Sequence, residues 1–223
     1  MENIALWMSQ PHFGYLEIAK TCGFTSFVLE LEHGTFDLGT LDQFLAFTKA
    51  QGLPTLTKVL APTTEAIQQV LDFGTDGVIV PHILGVEHAR EVTKAAKYPL
   101  TGTRSYAGGR VFGYSRPASD AFEKENKRTK CYAMIETAES LADVEEIIAL
   151  DTVDGLFPGP LIWHLPVVAV LMNSMMRTKL ICAVAPKLPV MRASHGLCLH
   201  GQKPSAVLPW MKAHQCWLLP HKI

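Results

Sequence analysis

Three features of this 223-residue sequence predict an α/β fold, a parallel (β/α) barrel that stops short of its last unit. Short β-branched or apolar runs recur between residues 4 and 157, and amphipathic stretches lie between them. Three of those stretches end in glycine (Gly23, Gly52 and Gly74), where a left-handed C-cap is wanted. Seven strand-like runs fit within 160 residues, one fewer than a closed (β/α)8 barrel needs. An open doubly wound sheet is the alternative. It normally carries a Gly-rich phosphate loop after its first strand, and Ser9-Gln10-Pro11-His12 is not one.

The first strand is expected at 4–8, with a helix at 15–22 that closes on Gly23. The second, at 26–31, alternates: Phe27, Leu29 and Leu31 point one way, Glu30 and Glu32 the other. A helix at 41–51 then ends on Gly52. Strand 55–59 precedes helix 64–73 and its Gly74 cap, and the apolar run 77–81 precedes helix 86–97. Residues 100–104 are expected as a fifth strand, 131–136 as a sixth followed by helix 140–150, and 155–157 as a seventh. The Gly-rich basic segment 106–110 reads as a flexible lid, since no helix follows at once to make it a phosphate loop.

Composition narrows the class. The hydrophobic fraction is 48% and the charged fraction 18%, values of a soluble globular protein. No apolar stretch reaches the length of a membrane span, and the first residues lack the basic region of a signal peptide. Five cysteines without CxxC spacing read as reduced thiols of a cytoplasmic protein. A net charge of -1 argues against a nucleic-acid partner.

That average conceals a break. All 21 acidic residues lie between Glu2 and Asp154, whereas residues 161–223 contain none. The same 161–223 stretch holds three of four Trp and five of nine His. The chain therefore divides into a body, 1–160, with strands one to seven, and an acid-free tail, 161–223, in place of the last βα unit.

Barrel active sites form at strand C-termini, so polar residues there carry the information. Glu30 and Glu32 share one face of a buried strand, which is costly unless they are paired, hydrogen-bonded or metal-bound. His33 follows them as a candidate acid–base residue or a packed structural histidine. Lys58 could bind a carboxylate or keto oxygen, form a Schiff base, or neutralise Glu30 or Glu32. Glu136 ends the 131–136 strand, as a functional carboxylate, a helix cap or an ion pair. The turn at Gly159-Pro160 offers backbone N–H groups for a carboxylate, or is an ordinary turn.

Together these segments resemble the HpcH/HpaI family of class II aldolases. The resemblance is carried by Gly23-Phe24, Leu29-Glu30-Leu31-Glu32-His33-Gly34, Gly77-Val78-Ile79-Val80-Pro81, Tyr98-Pro99, Gly102-Thr103-Arg104, Met134-Ile135-Glu136-Thr137 and Val153-Asp154-Gly155-Leu156-Phe157-Pro158-Gly159-Pro160, in family order. It implies a TIM barrel of the phosphoenolpyruvate/pyruvate-binding type that cleaves 4-hydroxy-2-oxo acids to pyruvate and an aldehyde, and it suggests a homo-oligomer. It also implies a divalent cation (Mg, Mn or similar) that polarises the keto group. By the same resemblance Glu136 is a metal ligand, and His33 does acid–base work beside Glu32. Gly159 and Pro160 cradle the substrate carboxylate, and Lys58 stands where the family has arginine. The family's second metal-ligand Asp is missing, with Ile162 in its place, which implies a weakened metal site and impaired activity.

The genetic code gives the tail a second reading. With codons starting one base earlier, Leu161/Ile162 can encode Asp, Ile162/Trp163 can encode Leu, and Trp163/His164 must encode Ala. Met172/Asn173 must then give Glu, and Met175/Met176 must give Asp. The third frame is closed, because the Met172-Asn173, Met175-Met176 and Met211-Lys212 junctions would each read as a stop. Residues 161–223 thus read as a frameshift product, the alternative being a divergent tail that binds a partner through its apolar basic surface. Three functions follow: an impaired aldolase, a non-catalytic barrel remnant, or a Schiff-base aldolase using Lys58.

Overall fold

The computed structural model describes residues 4–159 and the short strand Cys216–Leu218. Six parallel strands form its centre: β1 (Ile4–Met8), β2 (Ser26–Glu30), β3 (Thr55–Lys58), β4 (Gly77–Val80), β5 (Lys130–Ile135) and β6 (Gly155–Pro158). The sheet order is β6-β5-β4-β3-β2-β1, so every strand pairs with its neighbours in sequence. β7 (Cys216–Leu218) lies antiparallel along the free side of β1, whereas a closing barrel strand would run parallel.

Helices α1 (Phe13–Thr21), α2 (Leu38–Ala50), α3 (Thr64–Asp72) and α4 (Val86–Val92) follow the first four strands. Side chains that accept N–H bonds start three of them: His12 from Tyr15, Asp37 from Thr40 and Thr63 from Ala66. Gly23, Gly52 and Gly74 all have positive φ at helix ends, as expected. Leu16, Phe44, Leu45, Ile67 and Leu71 from the helices bury themselves against Leu6, Met8, Phe27, Leu29 and Val78 on the outer face of the sheet.

The inner face is a second, smaller core of Ala5, Val28, Leu56, Ile79, Met134 and Phe157, with Trp7 and Tyr132 packed on it. Trp7 on β1 and Phe157 on β6 belong to strands at opposite ends of the parallel set, yet their ring centroids are 5.6 Å apart. Only a curled sheet brings them together. The described residues therefore form an α/β half-barrel of six parallel strands, as an incomplete TIM barrel does.

One strand expected from the sequence is not formed. Residues 100–104 make no sheet pairing, and β4 pairs directly with β5. The N–H of Thr103 goes to the Lys94 carbonyl and that of Arg104 to the Lys97 carbonyl, so the segment folds back on the end of its own helical region. Leu100 sits in a turn with φ 76° and is fully exposed. Six strands, not seven, thus precede residue 159. In the same connection a helix that periodicity did not suggest, α5 (Ala121–Arg128), delivers the chain to β5. The last described helices are two single turns, α6 (Ala138–Ala142) and α7 (Val144–Ile148), in place of one helix at 140–150.

Candidate active site at the barrel mouth

Polar side chains replace apolar ones where the inner face reaches the strand C-termini. On β2 the inner series is Val28, Glu30, then Glu32; on β3 it is Leu56, then Lys58; on β5 it is Tyr132, Met134, then Glu136. Register sets Glu30 beside Lys58.

Glu30 is the buried anchor. Its Oε1 accepts the N–H groups of Glu32 at 3.1 Å and His33 at 3.3 Å, and the Lys58 ammonium at 3.1 Å. Lys58 bonds Glu32 Oε2 as well, so it is an ammonium clamped between two carboxylates. The turn depends on Gly34: a Cβ there would stand 2.0 Å from the Glu30 carbonyl oxygen and 2.7 Å from that of Ser9.

The other Glu32 oxygen meets His82 Nε2 at 2.5 Å and His33 Nε2 at 3.5 Å. Burial pulls the Glu32 pKa upward, but the hydrogen bonds and charges of Lys58 and His82 outweigh it and hold the carboxyl below its ordinary value. His82 also reaches Glu136: its main-chain N–H donates to Glu136 Oε1 at 2.7 Å, and ring Nδ1 lies 3.4 Å from the same oxygen. The sequence reading missed this residue. Its signal was present, as the first polar side chain after the apolar run 77–81, the same rule that selects Glu32 and Glu136. His82 has φ 55°, a left-handed conformation uncommon away from glycine.

The structure thus gathers His33, Glu32, Lys58 and Glu136 around one opening, with Glu30 beneath and His82 between the carboxylates. The His33 side chain is 74% exposed and the His82 side chain 53%, so both rings face the entrance. Gly159 flanks Glu136 closely: a Cβ on it would lie 2.5 Å from Glu136 Cβ. Its N–H donates to the Ile135 carbonyl at 2.8 Å, so it is not free to cradle a substrate carboxylate as expected. Pro160, which has no N–H, and Ile162 lie outside the described residues.

The described residues do not complete a divalent-ion site. Among the described residues no group of three His, Cys, Asp or Glu is arranged to hold a metal. Of the two carboxylates at the opening, Glu32 is held by Lys58 and His82, and Glu136 accepts His82. The 106–110 segment, expected as a lid, packs elsewhere. Arg110 bonds the Phe73 carbonyl at the end of α3 and the Asp42 carboxylate on α2, and Tyr106 packs on Phe112 and Phe122.

Comparison with known proteins agrees with this fold. A model of the HpcH/HpaI aldolase/citrate lyase family matches residues 3–161. The chain is 32% identical to a hydroxypyruvate/pyruvate aldolase of Roseobacter denitrificans, over 69% of this chain and 60% of that protein. It is 30% identical to a 4-hydroxy-2-oxovalerate aldolase of Novosphingobium aromaticivorans, over 71% of this chain and 60% of that one. It spans about three-fifths of the length of these curated relatives. The crystal structure of an HpcH/HpaI aldolase from Desulfitobacterium hafniense superposes with a TM-score of 0.70 at 21% identity, covering 80% of this chain and 74% of that chain, a likeness of fold. With its half-barrel, its polar mouth and a match running from residue 3 to residue 161, the chain belongs to the HpcH/HpaI aldolase/citrate lyase family.

Proposed function

We propose that this chain is an aldehyde-lyase of the pyruvate-binding barrel type, with retro-aldol activity on small 4-hydroxy-2-oxo acids that is impaired in the chain as it stands. The observation that carries the reading is the convergence of Glu32, His33, Lys58, His82 and Glu136 on one opening at the strand C-termini. The names of two relatives, acting on hydroxypyruvate/pyruvate and on 4-hydroxy-2-oxovalerate, support the substrate class.

In this reading His33, steadied by Glu32, takes the proton from the substrate's C4 hydroxyl. The C3–C4 bond then breaks, an aldehyde leaves, and the enolate of pyruvate regains a proton at C3. Lys58 supplies positive charge toward the developing enolate oxygen. The two carboxylates that clamp Lys58 already engage its Nζ, which disfavours the Schiff-base alternative. Gly159, having no side chain, lets the backbone pass close beside Glu136.

Impairment follows from the ligand set. Ions such as Mg²⁺ are held by one or two carboxylates plus substrate and water oxygens, and Glu136 is the single carboxylate that the resemblance leaves for that task. We assign the loss to the tail, read as a frameshift product that replaces the last βα unit and puts Ile162 where Asp is wanted. The enzyme would be cytoplasmic and homo-oligomeric. Pyruvate release from a 4-hydroxy-2-oxo acid, with and without Mn²⁺, tests the proposal on this chain and on a frame-restored version. Metal-stimulated turnover should appear in the restored version and be far weaker here. Absence of turnover in both would leave the non-catalytic remnant as the correct reading. Sequencing the gene around the Pro160 codon tests the frame directly.

A further inference from the structure

Four carboxylate oxygens face the mouth from Glu32 and Glu136, and three are already engaged. Glu32 Oε2 meets Lys58, Glu32 Oε1 meets His82 Nε2 at 2.5 Å, and Glu136 Oε1 takes the His82 main-chain N–H at 2.7 Å. The fourth, Glu136 Oε2, lies beside Gly159. The two hydrogen-bonded partners of the Glu32 carboxylate, Lys58 and His82, differ in how easily they could leave. Lys58 is 4% exposed and is tied to Glu30 as well, whereas the His82 ring is 53% exposed and through its two nitrogens meets the two carboxylates. The ring reaches between them from a backbone in the left-handed region at φ 55°, a conformation that side chains rarely adopt without local cause.

We propose that the His82 ring is a built-in occupant of the gap between Glu32 and Glu136, so that ring and divalent cation compete for the same oxygens. The incomplete ion site then has two causes, a missing acidic ligand and a histidine that holds the remaining ones. The proposal rests on the reading of Glu136 as the carboxylate an ion would use, but not on the chain being a lyase. Geometry separates ring from backbone. The N–H that positions Glu136 belongs to the main chain of residue 82 and survives any substitution except proline. Removing the ring therefore leaves Glu32 Oε1 with the more distant His33 Nε2 at 3.5 Å and relieves Glu136 Oε1 without releasing Glu136 from its place.

The test is calorimetric titration of Mn²⁺ alone into the full chain and into His82→Ala, at one pH and ionic strength, with electron paramagnetic resonance of bound Mn²⁺ as a second readout. Removal of one charge-assisted competitor should tighten Mn²⁺ binding about tenfold. His82→Gln, which keeps a side chain in the gap, should give a smaller gain and serves if His82→Ala fails to fold by circular dichroism. The gain should vanish in the His82→Ala/Glu136→Gln double variant. Equal or weaker Mn²⁺ binding without the ring overturns the proposal, since the ring would then be a bystander or a ligand. A gain that persists without Glu136 overturns it too. Failure of the lyase reading would appear in the pyruvate assay and leave these titrations unchanged.

Discussion

The two ends of the half-barrel each contain a cluster of ionised side chains, and they are balanced differently. At the N-terminal ends of the strands, Lys97 donates to Asn126 O, Thr129 O and the Asp154 carboxylate, which Lys130 also meets. Nearby, Arg104 pairs with Asp72 and lies over the Tyr98 ring, 4.6 Å from its centroid, while Arg128 bonds Glu125 and Asp76. Four cations there meet four carboxylates. At the C-terminal ends, three carboxylates (Glu30, Glu32 and Glu136) meet one lysine and two imidazoles. A compensated cluster is scaffold. An excess of one sign, half open to water, is what a site retains for a ligand.

The contrast makes predictions about stability and chemistry, and the largest concerns the scaffold end. Arg104→Ala should destabilise the protein by about 4 kcal/mol, measured by urea unfolding, because a fully buried charge partner is lost and a void is left. Next, Lys58→Met should cost about 2–3 kcal/mol and abolish pyruvate release, since it strands Glu30 and Glu32 together. Glu136→Gln should remove activity while changing stability by less than about 0.5 kcal/mol, its bond from the His82 N–H being kept. If Arg104→Ala and Glu136→Gln were equally costly, the distinction between the two ends would collapse.

Acid sharpens the same comparison with smaller effects. Glu32 at the mouth and Glu125 at the scaffold end both have folded-state pKa values below the ordinary 4.5. For Glu125, burial pulls upward but is outweighed by Arg128, Thr129 and Arg104. Each group therefore contributes stability that is complete above pH 4.5 and is lost as pH falls through its lower folded value. Unfolding free energy measured against pH should be level down to that point and then decline. Glu125→Gln and Glu32→Gln should each flatten the decline. The smallest effect is chemical. Burial pushes the Cys131 thiol up to about 12, so iodoacetamide followed by peptide mapping should label exposed Cys22 and spare Cys131 in the native protein.

What the sequence disclosed follows from what it encodes locally. Alternation along 26–32 separates Glu30 and Glu32 from Phe27 and Leu29, and that alone places both carboxylates inside the curl. Lys58 was readable as their neutraliser, which is its observed contact. His82 could be found as the first polar residue after the run 77–81, but Pro81 and its own left-handed φ leave no strand rule to say where its ring points. Residues 100–104 looked like a strand because they contain Leu100, Thr101 and Thr103. Their N–H groups instead find carbonyls at the end of the preceding helix, a competition that propensity cannot see. Helix α5 escaped for the opposite reason. It has almost no apolar stripe and leans on the pairs Asp120–Lys124, Glu123–Lys127 and Glu125–Arg128.

The strand order has a consequence for how the molecule is made. Each strand from β2 to β6 adds to the one completed just before it, so no pairing in the parallel sheet waits for sequence synthesised much later. Loop closures stay within successive βα units, the longest being the connection from Val80 to Lys130. A ribosome releasing the chain from its N-terminus would let the sheet grow strand by strand, with Glu32, Lys58, His82 and Glu136 joining the mouth in that order. The curl that seats Trp7 against Phe157 would come last, when β6 emerges.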